Sequence, residues 1–310
     1  MSKIDRRFLD GGDVGGGGLT AAQLAAAIAT GQWTERTMPQ CIWRAVCWSP
    51  YLALFCAVGE GKAATSPDGI TWTGRTIPAG DWQSVCWSPE LGLFCAVATN
   101  GKAATSPNGV TWTERTISAG EWYSICWSPE RRLFCAIGGS SRVATSPDGI
   151  TWTLRELPIT VWHSVCWSPK LGLFCAVGRE RAATSHDGIT WTGHTVPRLY
   201  SSPSVCWSPE LGLFCAVENS GSGWTSPDGV TWTARTTPVG NKSSICWSPG
   251  LRLLCTIGSS EKAMTSPDGG TWKERSVPIG NWQAICWSPE LGLFCAVGPN
   301  KAATSTPLKL

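Results

Sequence analysis

The sequence predicts an all-β fold, a seven-bladed β-propeller of four-stranded antiparallel blades, and three observations carry that expectation. The segment Cys-Trp-Ser-Pro occurs seven times, starting at Cys47, Cys86, Cys126, Cys166, Cys206, Cys246 and Cys286, with one spacing of 39 residues and the rest of 40. Nine residues after each comes a second cysteine: Cys56, Cys95, Cys135, Cys175, Cys215, Cys255 and Cys295. Six copies then carry Ser-x-Asp/Asn-Gly-x-Thr-Trp, a turn running into a strand. A period of this length, filled with short β runs, belongs to a propeller blade and not to a helical solenoid unit.

Residues 82–117 serve as the reference blade. Trp82 to Ser88 alternates and is rich in aromatic and branched residues, so it reads as strand one. Pro89 to Gly92 is a turn. Leu93-Phe94-Cys95-Ala96-Val97 is apolar on both faces, as a strand sandwiched between neighbouring blades should be, and is strand two. A polar loop, Ala98 to Gly101, leads to small-sided strand three, Lys102 to Ser106. Pro107-Asn108-Gly109 fits a turn whose last position favours Gly in the left-handed region. Val110 to Thr116 is expected as the outer, more polar strand four.

The seventh repeat supplies only three strands, Cys286 to Ser305, with no Gly-x-Thr-Trp segment after them. The missing strand stands at the other end, as Trp33-Thr34-Glu35-Arg36-Thr37, matching Trp112 to Thr116. The last blade is therefore expected to be closed by the N-terminal strand 33–37, which removes the sheet edges that invite aggregation. The propeller domain is assigned to 33–310.

Ahead of it, residues 19–32 read as a short helix and connector, with Thr20 capping Ala21 to Ala29 and Gly31 ending it. Residues 1–18 form a glycine-rich leader, either a plain spacer or an attachment peptide. A formal net charge of +3, with basic residues scattered over the repeats, gives little support for nucleic-acid binding. No apolar stretch is long enough to insert into a membrane, and Met1 to Asp10 lacks the core of a secretory signal. The fifteen cysteines include seven pairs set across the one-to-two hairpin. Disulfides and reduced, buried thiols both remain open, and ladder parity decides between them.

The Ser-x-Asp-Gly-x-Thr-Trp turn resembles the Asp-box repeat of BNR-like β-propellers, found in sialidase-like and bacteriophage virion proteins. The residues that carry the resemblance are Asp68, Asp148, Asp187, Asp228 and Asp268 with their flanking Ser, Gly, Thr and Trp, and Asn108 replaces the Asp once. Asp and Gly are adjacent here, a shortened form of the family pattern. The resemblance implies a structural turn away from the ligand face. A sialidase would also need an arginine cluster, a tyrosine nucleophile with a glutamate partner, and an acid/base aspartate. Tyr51, Tyr123 and Tyr200 lack such surroundings in sequence, and Arg36, Arg75, Arg115, Arg155, Arg235 and Arg275 recur in outer strands as structural residues would. No Cys/His spacing indicates a metal site, and no cofactor is expected.

What the repeats share reads as scaffold, and specificity is sought where they differ. The variable rim holds the two-to-three loops and four-to-one connections, with Tyr200, Lys242 and Trp224 as candidates. Beside it stands a partial ring of indoles, Trp43, Trp82, Trp122, Trp162 and Trp282, which either stack on sugars or wedge between blades. The next residues, Arg44, Gln83, Tyr123, His163 and Gln283, vary and are polar, and are candidates for specific contacts. The expected function is a non-enzymatic binding or structural module of a phage virion, such as a tail fibre, adhesin or decoration protein. It would contact other virion proteins through residues 1–18 and a cell-surface glycan or partner protein through the rim. A free multivalent lectin is the second reading and a sialidase-like hydrolase the third. The expected location is virion or extracellular without an ordinary signal, otherwise cytoplasmic.

Overall fold

Two turns, repeated along the chain, set the strand boundaries. The computed structural model describes residues 32–139, 141–157, 161–196, 202–237, 240 and 242–306. Among these all regular structure is β, and there is no helix. The predicted helix at 21–29 and the leader lie outside the described residues.

The strands are β1 (Trp33–Ser49), β2 (Leu54–Ser66), β3 (Thr73–Ser88), β4 (Leu93–Ala98), β5 (Lys102–Ser106) and β6 (Thr113–Thr116). The third repeat gives β7 (Trp122–Ser128), β8 (Leu133–Gly138), β9 (Arg142–Ser146) and β10 (Thr153–Glu156). The fourth gives β11 (Trp162–Ser168), β12 (Leu173–Gly178), β13 (Arg181–Ser185) and β14 (Thr192–Thr195). The fifth gives β15 (Ser204–Ser208), β16 (Leu213–Val217), β17 (Ser222–Ser226) and β18 (Thr233–Thr236). Then follow β19 (Ser244–Ser248), β20 (Leu253–Ile257), β21 (Lys262–Ser266), β22 (Lys273–Ser276), β23 (Ala284–Ser288) and β24 (Leu293–Ser305).

Repeats three to six each form a four-stranded antiparallel meander, while the remaining strands join in one eight-stranded sheet, β23-β24-β1-β2-β3-β4-β5-β6. The long strands of that sheet change partner midway. β1 pairs through Trp33–Thr37 with Ser305–Lys301 of β24, and through Ala45–Ser49 with Val58–Leu54 of β2. β3 pairs through Thr73–Thr76 with β2 and through Ser84–Ser88 with β4. The first strands pack side by side in a closed circuit, β1, β3, β7, β11, β15, β19, β23 and back to β1.

The cores lie between successive sheets. Trp82, Phe94, Ala96 and Ala104 of the second repeat pack on Cys56, Val58 and Ala63 of the first, and the corresponding residues recur around the molecule. In every repeat the two cysteines face each other in register across a four-residue turn, Cys86 opposite Cys95 for example, and all fifteen are free thiols. Burial pushes them up in pKa, Cys215 to about 12, which keeps them protonated and unreactive.

The outer strand starts later than the alternation predicts, at Thr113 and not Val110. The turn side chain is the cause: Asn108 Oδ1 accepts hydrogen bonds from the backbone N–H groups of Val110 and Thr111, both at 2.9 Å, which withholds them from the ladder. Asp187 does the same with Ile189 and Thr190 at 2.8 Å. Burial alone would raise the Asp187 carboxyl, but those N–H groups and the Ser185 hydroxyl outweigh it and hold the group down to about 2. Gly69 sits at φ 73°, and a Cβ there would meet Thr304 Cγ2 at 2.9 Å, so the turn needs glycine for conformation and for space.

A second contact joins neighbouring repeats. The indole of each Cys-Trp-Ser-Pro segment reaches the preceding repeat, where Glu290, Glu90, Glu130 and Glu210 accept the Nε1–H of Trp48, Trp127, Trp167 and Trp247 at 2.6–2.7 Å. Where that glutamate is replaced by Tyr51, Lys170 or Gly250, the indole nitrogens of Trp87, Trp207 and Trp287 are buried without a partner. The triple variant Tyr51→Glu, Lys170→Glu, Gly250→Glu should therefore be more stable, by roughly 1 kcal/mol per restored bond. Chemical denaturation checks this, and a variant no more stable than the parent would refute it.

Candidate functional site

Irregular pairing at the start of the inner strands builds the site. The register slips between Trp43 and Ala45, Trp82 and Ser84, Trp122 and Ser124, and Trp162 and Ser164. An inserted residue at such a bulge breaks the alternation and redirects its neighbours. The indole before each slip turns into the core, and the residue within it (Arg44, Gln83, Tyr123 or His163) lines a cavity of about 590 Å³. Pro203, Ser243 and Gln283, from the corresponding positions of the other repeats, complete the wall. The cavity thus draws on the first strand of every repeat and lies inside the closed circuit of inner strands.

Below that tier runs a ring of serines. Ser84, Ser124, Ser164, Ser204 and Ser244 line the cavity, and each hydroxyl oxygen accepts the backbone N–H of the next inner strand, from Ile125, Val165, Val205, Ile245 and Ile285 at 3.1–3.3 Å. Ala45 and Ala284 interrupt the ring on either side of the chain closure. These serines went unrecognised as lining residues in the sequence, although their recurrence two positions before the first cysteine was the available signal.

The upper tier is chemically uneven. Arg44 is paired twice, Nη2 with Glu60 at 3.0 Å and Nε with Asp81 at 3.2 Å. The Tyr123 hydroxyl donates to Glu121 at 2.5 Å. Burial first, and then this carboxylate, raise the phenol to about 12. His163 stacks on Tyr123 with ring centroids 5.8 Å apart and planes at 19°. Its burial, helped by Arg179, lowers it to about 4, so the imidazole is neutral at physiological pH. Gln83 donates one amide N–H to Asp81 O and Gln283 donates to Asn281, and the carbonyl oxygens of both remain as acceptors. Among the described residues no group of His, Cys, Asp and Glu is placed to hold a metal ion.

Arg44, Gln83, Tyr123, His163 and Gln283 are thus brought together, along with Glu60 of β2, a position the sequence reads as loop, and Arg179 of the β12–β13 loop. The indole ring is not part of the site, and its reading as a sugar platform is corrected. Trp43, Trp82, Trp122, Trp162 and Trp282 have no exposed surface. Trp43, Trp82, Trp122 and Trp282 donate their Nε1–H to the backbone carbonyl four residues back at 2.9–3.1 Å. Trp224 is also corrected: it is 1% exposed and packs with Val177, Val205 and Trp207. Lys242 stands where other repeats have the core indole and is likewise 1% exposed, and burial lowers its pKa. Tyr200 lies outside the described residues. Asp68, Asp148, Asp187, Asp228, Asp268 and Asn108 all serve their turns through backbone hydrogen bonds.

Four-stranded sheets whose inner strands close a circuit around a polar cavity define a β-propeller with an axial pocket. The chain is similar to virginiamycin B lyase from Staphylococcus aureus, with a TM-score of 0.79 and 12% identity over 89% of this chain and 99% of that one. A streptogramin B lyase has the same TM-score at 10% identity, over 89% and 97% of the two chains. YCF48 bound to D1 peptide has a TM-score of 0.68 at 16% identity, also over 89% and 97%. No protein-family model and no curated protein matches the sequence. Identities this low speak for the fold alone. They still correct the expectation of a non-enzymatic protein, because two of these three neighbours are lyases. Of the sialidase requirements, the cavity brings together a tyrosine with a glutamate partner, Tyr123 with Glu121, but Arg44 is the one arginine among the described residues of its wall, so no arginine cluster is assembled there.

Proposed function

We propose that the protein is a recognition module that binds a carbohydrate in its axial pocket. The observation that carries this reading is that a position occupied by six different residue types in the seven repeats, just after the core indole, supplies the upper wall of one polar cavity. A concave site with a few convergent polar groups and an aromatic pair suits a ligand of this size and kind. The reading takes the fold as seven-bladed, supported by the partner changes within β1, β2, β3 and β24, which divide the eight-stranded sheet into three four-stranded sets. It keeps the kinship with Asp-box propellers, supported by the Asp-centred turn. It also has residues 1–18 carrying the module on a phage virion or similar particle, supported by the run Gly11 to Gly18, in which only Asp13 and Val14 are not glycine.

Saturation-transfer NMR of the full chain against a monosaccharide and oligosaccharide panel tests the pocket. Binding should appear and should fall by roughly tenfold or more in Tyr123→Ala and in Gln283→Ala. Contacts that persist unchanged in both variants, or a panel with no binder, would refute it.

A further inference from the structure

We infer that the axial pocket selects a neutral, polyhydroxylated ligand, a neutral glycan terminus, over its carboxylated counterpart; this rests on the carbohydrate-binding reading above. Hydroxyl donors serve a sugar hydroxyl and a carboxylate alike, so selection for an anion over a neutral ligand needs a cation left available to it. Arg44, the only Lys or Arg among the described residues of the cavity wall, is already bound by two carboxylates, and Arg179 nearby is partnered as well. His163 is neutral at physiological pH. Glu60, Asp81 and Glu121 gather around the upper tier through their contacts with Arg44 and Tyr123. A ligand carboxylate would lie in the field of the three carboxylates that back Arg44 and Tyr123, and would have to displace Glu60 or Asp81 to pair with the Arg44 guanidinium.

The same wall is complementary to sugar hydroxyls, each of which donates and accepts. The five ring serines use their oxygens on backbone N–H groups, which leaves their protons to donate toward the cavity. Gln83 and Gln283 add carbonyl oxygens that are left to accept, on amides whose nitrogens already donate to Asp81 and Asn281. The Tyr123 and His163 rings offer an uncharged face to the C–H side of a pyranose.

The test is a glycan array probed with the full chain, printed with matched pairs that differ by one carboxylate. Suitable pairs are terminal galactose against galacturonic acid and terminal glucose against glucuronic acid. At least one neutral member should bind roughly tenfold better than its acidic partner, and Tyr123→Ala and Gln283→Ala should both lose that signal. In Glu60→Gln/Asp81→Asn the freed guanidinium should narrow the preference or reverse it. Stronger binding of acidic members that is still lost in Tyr123→Ala and Gln283→Ala would overturn the inference while the pocket reading stands. Binding to no member, or binding indifferent to both pocket variants, would remove the pocket reading and the inference with it. Thermal melts of each variant separate lost binding from lost folding.

Discussion

Replacing Trp224 with alanine is expected to destabilise the protein by about 3–5 kcal/mol, the range for emptying a buried aromatic site. The interest of this position lies in its exchange with Ser202. In the first, second, third, fourth and seventh repeats an indole precedes the inner strand (Trp43, Trp82, Trp122, Trp162, Trp282), and strand three carries Ala64, Ala104, Ala144, Ala183 and Ala303 at the corresponding site. Trp82 and Ala104 share one core cluster. In the fifth repeat the indole position is Ser202, and Trp224 stands at the alanine position, in the equivalent cluster with Val177, Val205, Trp207 and Phe214. A core indole is thus supplied from strand three where the position ahead of strand one holds a small residue. Ser202 itself is exposed at the cavity, so a tryptophan there fills the vacated core volume by turning inward as Trp82 does. Adding Ser202→Trp to Trp224→Ala should therefore recover at least half of the lost stability, whereas Ser202→Trp alone should overpack the site and destabilise. Urea titrations of the three variants decide it, and additive effects of the two substitutions would sink the exchange.

That exchange also shows what the repeat pattern reveals and where it stops. The period, the hairpin that sets Cys86 opposite Cys95 and the pairing of Trp33–Thr37 with the C-terminal strand follow from alternation, turn residues and a missing copy, all of which are local or countable. Two features are neither. The outer strands begin at Thr113 and its counterparts because the Asn or Asp side chain captures two backbone N–H groups, a competition that β propensity does not register. β3 runs from Thr73 to Ser88 without a break, through a connection whose Pro78 and Gly80 read as loop, because Glu60 and Asp81 bridge across it.

For the site, the variable residues were legible and their setting was not. Alternation through Trp82-Gln83-Ser84 puts Trp82 and Ser84 on one face. The bulge cancels that parity and sends the indole to the core, while Gln83 and Ser84 both line the cavity. A single slipped residue thus separates an aromatic sugar platform from a polar pocket walled by its neighbours. The double pairing of Arg44 is equally hidden, since Glu60 and Asp81 lie 16 and 37 residues away along the chain.

Deletion of residues 1–37 is expected to cost on the order of 5 kcal/mol, a drop in melting temperature of roughly 10 °C, whereas deletion of 1–18 should leave the melt unchanged. Trp33 to Thr37 pairs in register with Ser305 to Lys301, so its loss strips one side of a strand whose Ala302, Ala303 and Thr304 are buried. Trp33 also stacks on Phe294 at 6.4 Å, and Arg36 Nε donates to Thr304 Oγ1 at 3.0 Å. The Glu35–Lys301 pair is exposed and adds little. More follows from topology than from these contacts. The closing strand ties the two ends of the chain together, and without it the Lys301–Ser305 edge is open to a second molecule, so the truncated protein should self-associate through that edge. Scanning calorimetry with size-exclusion chromatography at several concentrations tests both consequences. Trp33→Ala/Arg36→Ala, which keeps the backbone pairing, should fall between the parent and the deletion and remain monomeric under conditions where the deletion associates. Equal melting temperatures for the parent and both truncations would show that the ring holds without its N-terminal strand.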